Sequence, residues 1–309
     1  MNRRYQDEIR DLATSIQLQA PRVEEDELAR LKETLSPENL GIARADLIID
    51  LLRQPHGRRD ATFLPPLAER LGETLGRLFS RGEYPVLGNY LRRLFMALEG
   101  HPQENLLTKI LSAQFSARDI QTILEHFMEK CRTYEPVETA VIHAVCRLYP
   151  RKSAGVLLDI ITQAPDEQSP QVRWILTTLS ALGPSINLSL ERRITRAPDQ
   201  ALPLLLDLAG RSGDRNMARC VAQFLEYQDP QIRLKAIVTL GRLKAESAVP
   251  RLGEMALQRS WIRTRKTRVV QEAAIKALGA IGTKDAKALL KQVITRGPAD
   301  LGALCREFL

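Results

Sequence analysis

Asp229-Pro230-Gln231-Ile232-Arg233-Leu234-Lys235-Ala236-Ile237-Val238-Thr239-Leu240-Gly241-Arg242-Leu243, continuing through Ala248-Val249-Pro250-Arg251-Leu252, carries the fold. An aspartate side chain can accept from the first free amides of a helix, proline suits the first helical turn, and glycine suits a helix end, so Asp229, Pro230 and Gly241 delimit one helix. Ile232, Ala236, Ile237, Leu240 and Leu243 recur at helical spacing, which leaves one apolar stripe that a neighbour must cover. A second helix starts near Ser247, with Ala248, Val249, Leu252, Met255 and Ala256 on one side and Pro250 confined to its first turn. Two amphipathic helices make a hairpin. The pattern then returns as Val270, Ala274, Ile275, Leu278, Gly279, Ile281, Ala286 and Leu290, at a constant offset of 38 residues (278 minus 240). A lone hairpin cannot bury its apolar face, so units of this length must stack.

This stretch closely resembles the HEAT repeat, in the short bacterial form also called phycobilisome-lyase-like. The resemblance implies an all-α fold, a HEAT-type α-α superhelix in which antiparallel helix hairpins stack into a solenoid whose curved surface binds a partner. It also implies a non-catalytic role, since such repeats mostly hold other macromolecules.

Upstream the same grammar continues with decay. Ser169-Pro170-Gln171-Val172-Arg173 echoes the Asp-Pro entry, with Ile175, Leu176, Leu179 and Leu182 behind it and Gly183-Pro184 as a stop. Glu135-Pro136-Val137 opens a helix through Leu148, and Ala154 to Ile161 supplies its partner. Ala201 to Ala209 and Met217 to Leu225 form a further pair around Gly210 to Gly213. Residues 135–309 are therefore expected to form one HEAT-repeat array, of about four hairpins at the usual unit length. Residues 21–134 are helical but lack the motif. Leu28 to Leu35, Ile42 to Leu52, Leu64 to Phe79, Val86 to Leu98, Leu106 to Leu111 and Ile120 to Met128 are apolar-periodic segments between turn signals, to be divergent repeats or a small helical domain. Residues 1–20 would add an amphipathic N-terminal helix or tether.

Composition narrows the function. Among 309 residues, 44% hydrophobic and 27% charged is ordinary for a folded protein, and no apolar run is long enough to span a bilayer. Membrane insertion is not expected. The first residues lack a secretory signal, which predicts a cytoplasmic location. The four cysteines, Cys131, Cys146, Cys220 and Cys305, are too far apart for a disulfide framework or a zinc motif and are expected to be core residues. A net charge of +8, from 45 basic and 37 acidic residues, permits an anionic partner; with charge of both signs so plentiful, only a local concentration is informative.

The sharpest concentration is Arg259-Ser260-Trp261-Ile262-Arg263-Thr264-Arg265-Lys266-Thr267-Arg268, which contains no acidic residue and replaces the short turn that should open the next repeat. Insertions between repeats often line the binding side. Arg259, Arg263, Arg265, Lys266 and Arg268 are the expected contacts to a carboxylate or phosphate surface, with Trp261 as an anchor; the competing expectation is a solvated loop. Trp174 is expected to pack rather than to bind. Arg233 is expected to close an ion pair with Asp229, and Arg173, which lacks the aspartate, to be freer.

No catalytic residue, metal ligand set or cofactor site is assigned. His143 and Cys146 share a helix without further ligands, His56, His101 and His126 have no nucleophile beside them, and the glycines of 279–282 end a repeat helix instead of cradling phosphate. Glu24-Glu25-Asp26-Glu27 is explained by a helix N-terminus. The expected partner is another protein with an acidic surface, and no small-molecule substrate is identified. Two alternatives stay open: a nucleic-acid binder by analogy with HEAT-like alkylpurine DNA glycosylases, whose catalytic Asp beside paired aromatics has no counterpart here, and a lyase of the phycobilin lyase kind, which shares only the repeat.

Overall fold

A computed structural model of the chain describes residues 37–54, 63–163, 165–258, 265–296 and 301–309, and among them every regular element is a helix. The chain divides between Thr74 and Leu75 into two compact units. In the first, helix α1 (Pro37–Leu52) buries Ala45, Ile48, Ile49 and Leu52, and the opening turns of α2 (Leu64–Ser80) bury Leu64, Ala68 and Leu71. The N-terminal helix or tether expected within 1–20, the helix expected at 28–35 and the acidic run at 24–27 lie outside the described residues.

The second unit holds α3 (Tyr84–Leu98), α4 (Glu104–Ser112), α5 (Ala117–Lys130), α6 (Pro136–Leu148), α7 (Pro150–Gln163), α8 (Pro170–Ala181), α9 (Asn187–Ile194), α10 (Leu202–Ser212), α11 (Met217–Ala222), α12 (Pro230–Arg242), α13 (Val249–Leu257), α14 (Arg265–Ile281), α15 (Lys284–Arg296) and α16 (Gly302–Arg306). Its helices stack two abreast. α8, α10, α12 and α14 touch in succession along one row, α7, α9 and α11 along the other, and α13 touches α15. Contact between every second helix is what a HEAT-type solenoid requires, because each hairpin hides its apolar stripe on the next. α3 packs on α6, and α5 on both α6 and α7.

Capping follows the sequence at several ends. Asp229 accepts from the Gln231 amide at 2.7 Å and Pro230 enters at the first turn of α12. Ser116 and Asp119 form a reciprocal capping box on α5. Before α6, one oxygen of Glu138 accepts from the backbone N–H groups of Arg132 (3.1 Å), Thr133 (2.9 Å) and Tyr134 (3.1 Å), closing a turn in which Tyr134 is left-handed at φ 57°. The hydrogen bond from Thr133 leads the causes that hold this carboxyl below its usual range.

Two local expectations are corrected. Gly241 does not end α12. It lies inside the helix, buried, while Leu243 takes the C-cap and Lys244 makes the left-handed turn at φ 50°. A Cβ at Gly241 would stand 2.9 Å from the Ala277 Cα and 3.1 Å from its Cβ, so this glycine lets α12 and α14 approach backbone to backbone. Gly282, at φ 67°, does end α14. The Arg233–Asp229 ion pair is also absent: Asp229 is engaged with Gln231, and the Arg233 Nε is buried without a hydrogen-bond partner.

An aromatic ladder braces the other end of this unit. Phe79, Phe115 and Tyr149 meet edge to face at 5.8 and 5.7 Å, and Lys152 donates to the Ser112 carbonyl at 2.6 Å and to that of Phe115, where the free carbonyls of α4 and the following turn attract a cation. Tyr149 is fully enclosed, and its hydroxyl has no hydrogen-bond partner. Burial accordingly pushes its pKa far up. Because an unpaired buried hydroxyl carries its desolvation cost uncompensated, Tyr149→Phe is expected to leave stability unchanged or to raise it by about 1 kcal/mol in urea unfolding. A loss of that size would mean that the hydroxyl has a bonded partner.

Candidate functional site

A groove opens between α7 and α9, neighbours in the second row. Its volume is about 250 Å³, and Gly155, Leu158, Ser189, Arg192, Arg193 and Arg196 line it. The wall on α7 is low because Gly155 stands in it, where a Cβ would meet nothing within 4 Å. The opposite wall is basic. Arg192 and Arg193 occupy the last turn of α9, and the chain stays helical through Thr195 (φ −69°, ψ −13°), with the Arg196 amide bonded to the Arg193 carbonyl at 3.0 Å. Arg196 therefore falls one turn after Arg192, with side-chain roots about 6 Å apart.

The charges are unequally spent. Arg193 pairs with Asp159 across from α7. Arg192 and Arg196 are exposed and have no acidic partner among the described residues. Glu191 does not line the groove, and its charge bears instead on the Cys220 thiol, which burial chiefly pushes up to about 11. On α7, Arg151 sits one turn before Gly155 on the same helix face, exposed. The C-terminal dipole of α9 favours a cation in its last turn, but it does not call for a third arginine beyond the helix with a hollow before it. Such a face can grip an anionic group with several N–H donors at once.

A second ionic cluster ties α10 to α12. The nearly buried Asp207 accepts from Arg211 Nε at 2.6 Å and from an Arg242 guanidinium nitrogen at 2.6 Å, and Lys235 Nζ lies 3.6 Å away. Burial alone would push this carboxyl up, but the bonds from Arg242 and Arg211, with the Lys235 charge, hold it below the ordinary range. Beside it Thr239 Oγ1 donates to the Leu206 carbonyl at 3.0 Å. With every cation committed to one internal anion, this cluster is a joint between helices.

Of the residues singled out in the sequence, Arg259, Trp261 and Arg263 lie outside the described residues, and Arg265 and Lys266 begin α14. Arg268 donates to Glu272 at 2.8 Å, an ion pair along its own helix. The buried Gln271 donates to the Gln258 carbonyl at 2.7 Å, which fixes the start of α14 to the end of α13 on either side of the basic segment. Trp174 is half-buried against the Tyr134 ring at 5.8 Å, the packing role expected of it, and Arg173 is exposed. His143 meets the edge of Phe95 at 5.6 Å, while burial pushes the Cys146 thiol up to about 12, far from a ligating thiolate. Among the described residues no group of three or more His, Cys, Asp or Glu could hold a metal ion, and no helix is long and apolar enough to cross a membrane.

The α7–α9 groove escaped the sequence because nothing in Leu188-Ser189-Leu190-Glu191-Arg192-Arg193 departs from an ordinary amphipathic helix end. Its only signal was the third arginine four residues after Arg192. Among known proteins, residues 221–303 match the family model for HEAT repeats, the span that contains α12 to α15. Comparison with curated proteins returns no match.

Proposed function

Since residues 221–303 are HEAT repeats, we propose that this protein is a non-catalytic scaffold that holds another protein by an acidic surface of that partner. The arginine face of α7 and α9 is the seat, and the basic segment with Arg259, Trp261, Arg263, Arg265, Lys266 and Arg268 is a second contact. The observation that carries the reading is the pair of uncommitted cations, Arg192 and Arg196, facing a hollow of about 250 Å³. A cation with no internal anion gains most from an external one, and several arginines around a concavity are typical of a contact hot spot.

In the same proposal residues 135–309 act as the array, 21–134 as divergent repeats or a small helical domain, and 1–20 as an N-terminal helix or tether. A cytoplasmic setting belongs to it as well, supported by four cysteines that stand apart as free thiols.

The test is quantitative capture of partners from the native cell by the wild type, by Arg192→Glu/Arg196→Glu and by Arg259→Glu/Arg263→Glu/Arg265→Glu. The first variant is expected to lose the main partner by roughly tenfold or more, because like charges now face each other across a desolvated contact. An unchanged partner set in both variants sinks the proposal. Nucleic acid is the other polyanion that such a face attracts. If it were the ligand, binding would fall with salt at a log-log slope of roughly −3 to −4 for about four phosphate contacts. A flat response is expected.

A further inference from the structure

We propose that the α7–α9 groove is a receptor for a phosphate monoester carried on a protein segment, a phosphoserine or phosphothreonine side chain; this rests on the acidic-partner proposal and narrows it. The argument begins with charge. Asp159 already neutralises Arg193, so the groove offers the guanidinium groups of Arg192 and Arg196, two cations one helical turn apart. A single carboxylate would satisfy one of them and leave the other facing an apolar contact. A phosphate monoester carries about −1.5 to −2 near neutral pH and presents three acceptor oxygens, so one group matches both arginines. Two guanidinium forks can close on two of those oxygens, and the Ser189 hydroxyl on the same wall can donate to the third.

Shape points the same way. The absence of a side chain at Gly155 leaves α7 open opposite the arginines, and nothing lies within 4 Å of where a Cβ would stand. Leu158 gives the floor an apolar portion for the carbon stem that bears the phosphate. Arg193 lines the same groove with its charge already met by Asp159 of α7. Arg151, one turn before Gly155, would meet the segment that continues past the phosphate.

The 309-residue chain is titrated with a fluorescent peptide pool that has phosphoserine at its centre and degenerate non-acidic flanks, and with the same pool carrying serine or glutamate there. The phosphoserine pool is expected to bind roughly tenfold or more tighter than either, because one dianion engages both guanidinium groups. That advantage is expected to vanish in Arg192→Ala/Arg196→Ala. It should vanish equally in Gly155→Leu, which fills the hollow and keeps every cation; a mid-helix leucine with open space around it favours folding, and circular dichroism verifies that the helices persist.

If the glutamate pool binds as tightly as the phosphoserine pool, the phosphate assignment falls while the acidic-partner proposal stands. Equal binding of all three pools, or an advantage that survives Gly155→Leu, also overturns the assignment. Inorganic phosphate that saturates the groove as tightly as the peptide would mean a free ion as ligand, and would overturn it too. Loss of the native partner in the capture experiment tests the broader proposal separately, since it needs no phosphopeptide.

Discussion

Replacing Gly241 with leucine is expected to destabilise the protein by about 3 kcal/mol, the upper end of what overpacking costs, despite the higher helix propensity of leucine. The reason is the identity of the neighbouring atom. A Cβ at Gly241 meets the Ala277 backbone at 2.9 Å, and backbone cannot rotate aside, so α12 and α14 must part and uncover Ile237, Leu240, Ala274 and Leu278 along their seam. Gly253 is the control. Its Cβ would approach the Leu289 Cδ1 at 2.6 Å, the far end of a flexible side chain that can change rotamer, so Gly253→Ala should cost far less. Urea unfolding followed by circular dichroism reads both. A Gly241→Leu protein as stable as the parent would mean that the two helices do not meet at Ala277.

Asp207→Asn should cost about 2 to 3 kcal/mol, less than the loss of a fully buried pair because Arg211 and Arg242 are half-exposed and can recover water. The change keeps the size of the side chain and removes the charge that holds Arg242 and Lys235 of α12 against α10. A double-mutant cycle with Arg242→Ala isolates the interhelical share. The acid dependence follows from the direction of the pKa change. The folded carboxyl titrates below its unfolded value of about 3.9, so its stabilisation is fully present above that pH and is lost as pH falls through the lower, folded value. The gap between parent and Asp207→Asn should therefore close in acid. A gap that stays constant down to the acid limit would place the effect in packing and remove the charge argument.

The hairpin architecture was legible because it rests on local chemistry repeated in register: a cap, a proline, an apolar stripe and a period of 38 residues from Leu240 to Leu278. What escaped was tertiary. Gly241 fits a helix end as well as it fits a close approach, and only the position of Ala277 decides between them. Arg233 stands at good spacing for a partner on its own helix, yet Asp229 is spent on the Gln231 amide. Asp207 stands inside the apolar run Leu204-Leu205-Leu206-Asp207-Leu208, where nothing local names a partner, and its three cations come from 211, 235 and 242, two of them on another helix. The α7–α9 groove likewise depends on which side of α9 faces Gly155, a relation across more than thirty residues of chain that no spacing rule encodes.

The two-row stacking has a mechanical corollary. Because the principal contacts of each hairpin are with the hairpins beside it, tension applied along the array would be borne by successive small seams in series, and no single central core would carry it. The Asp207 joint and the Gly241–Ala277 seam are then rivets on either side of α12, and a partner that straightened the coil would be expected to yield the array stepwise, with α12 among the last places to let go.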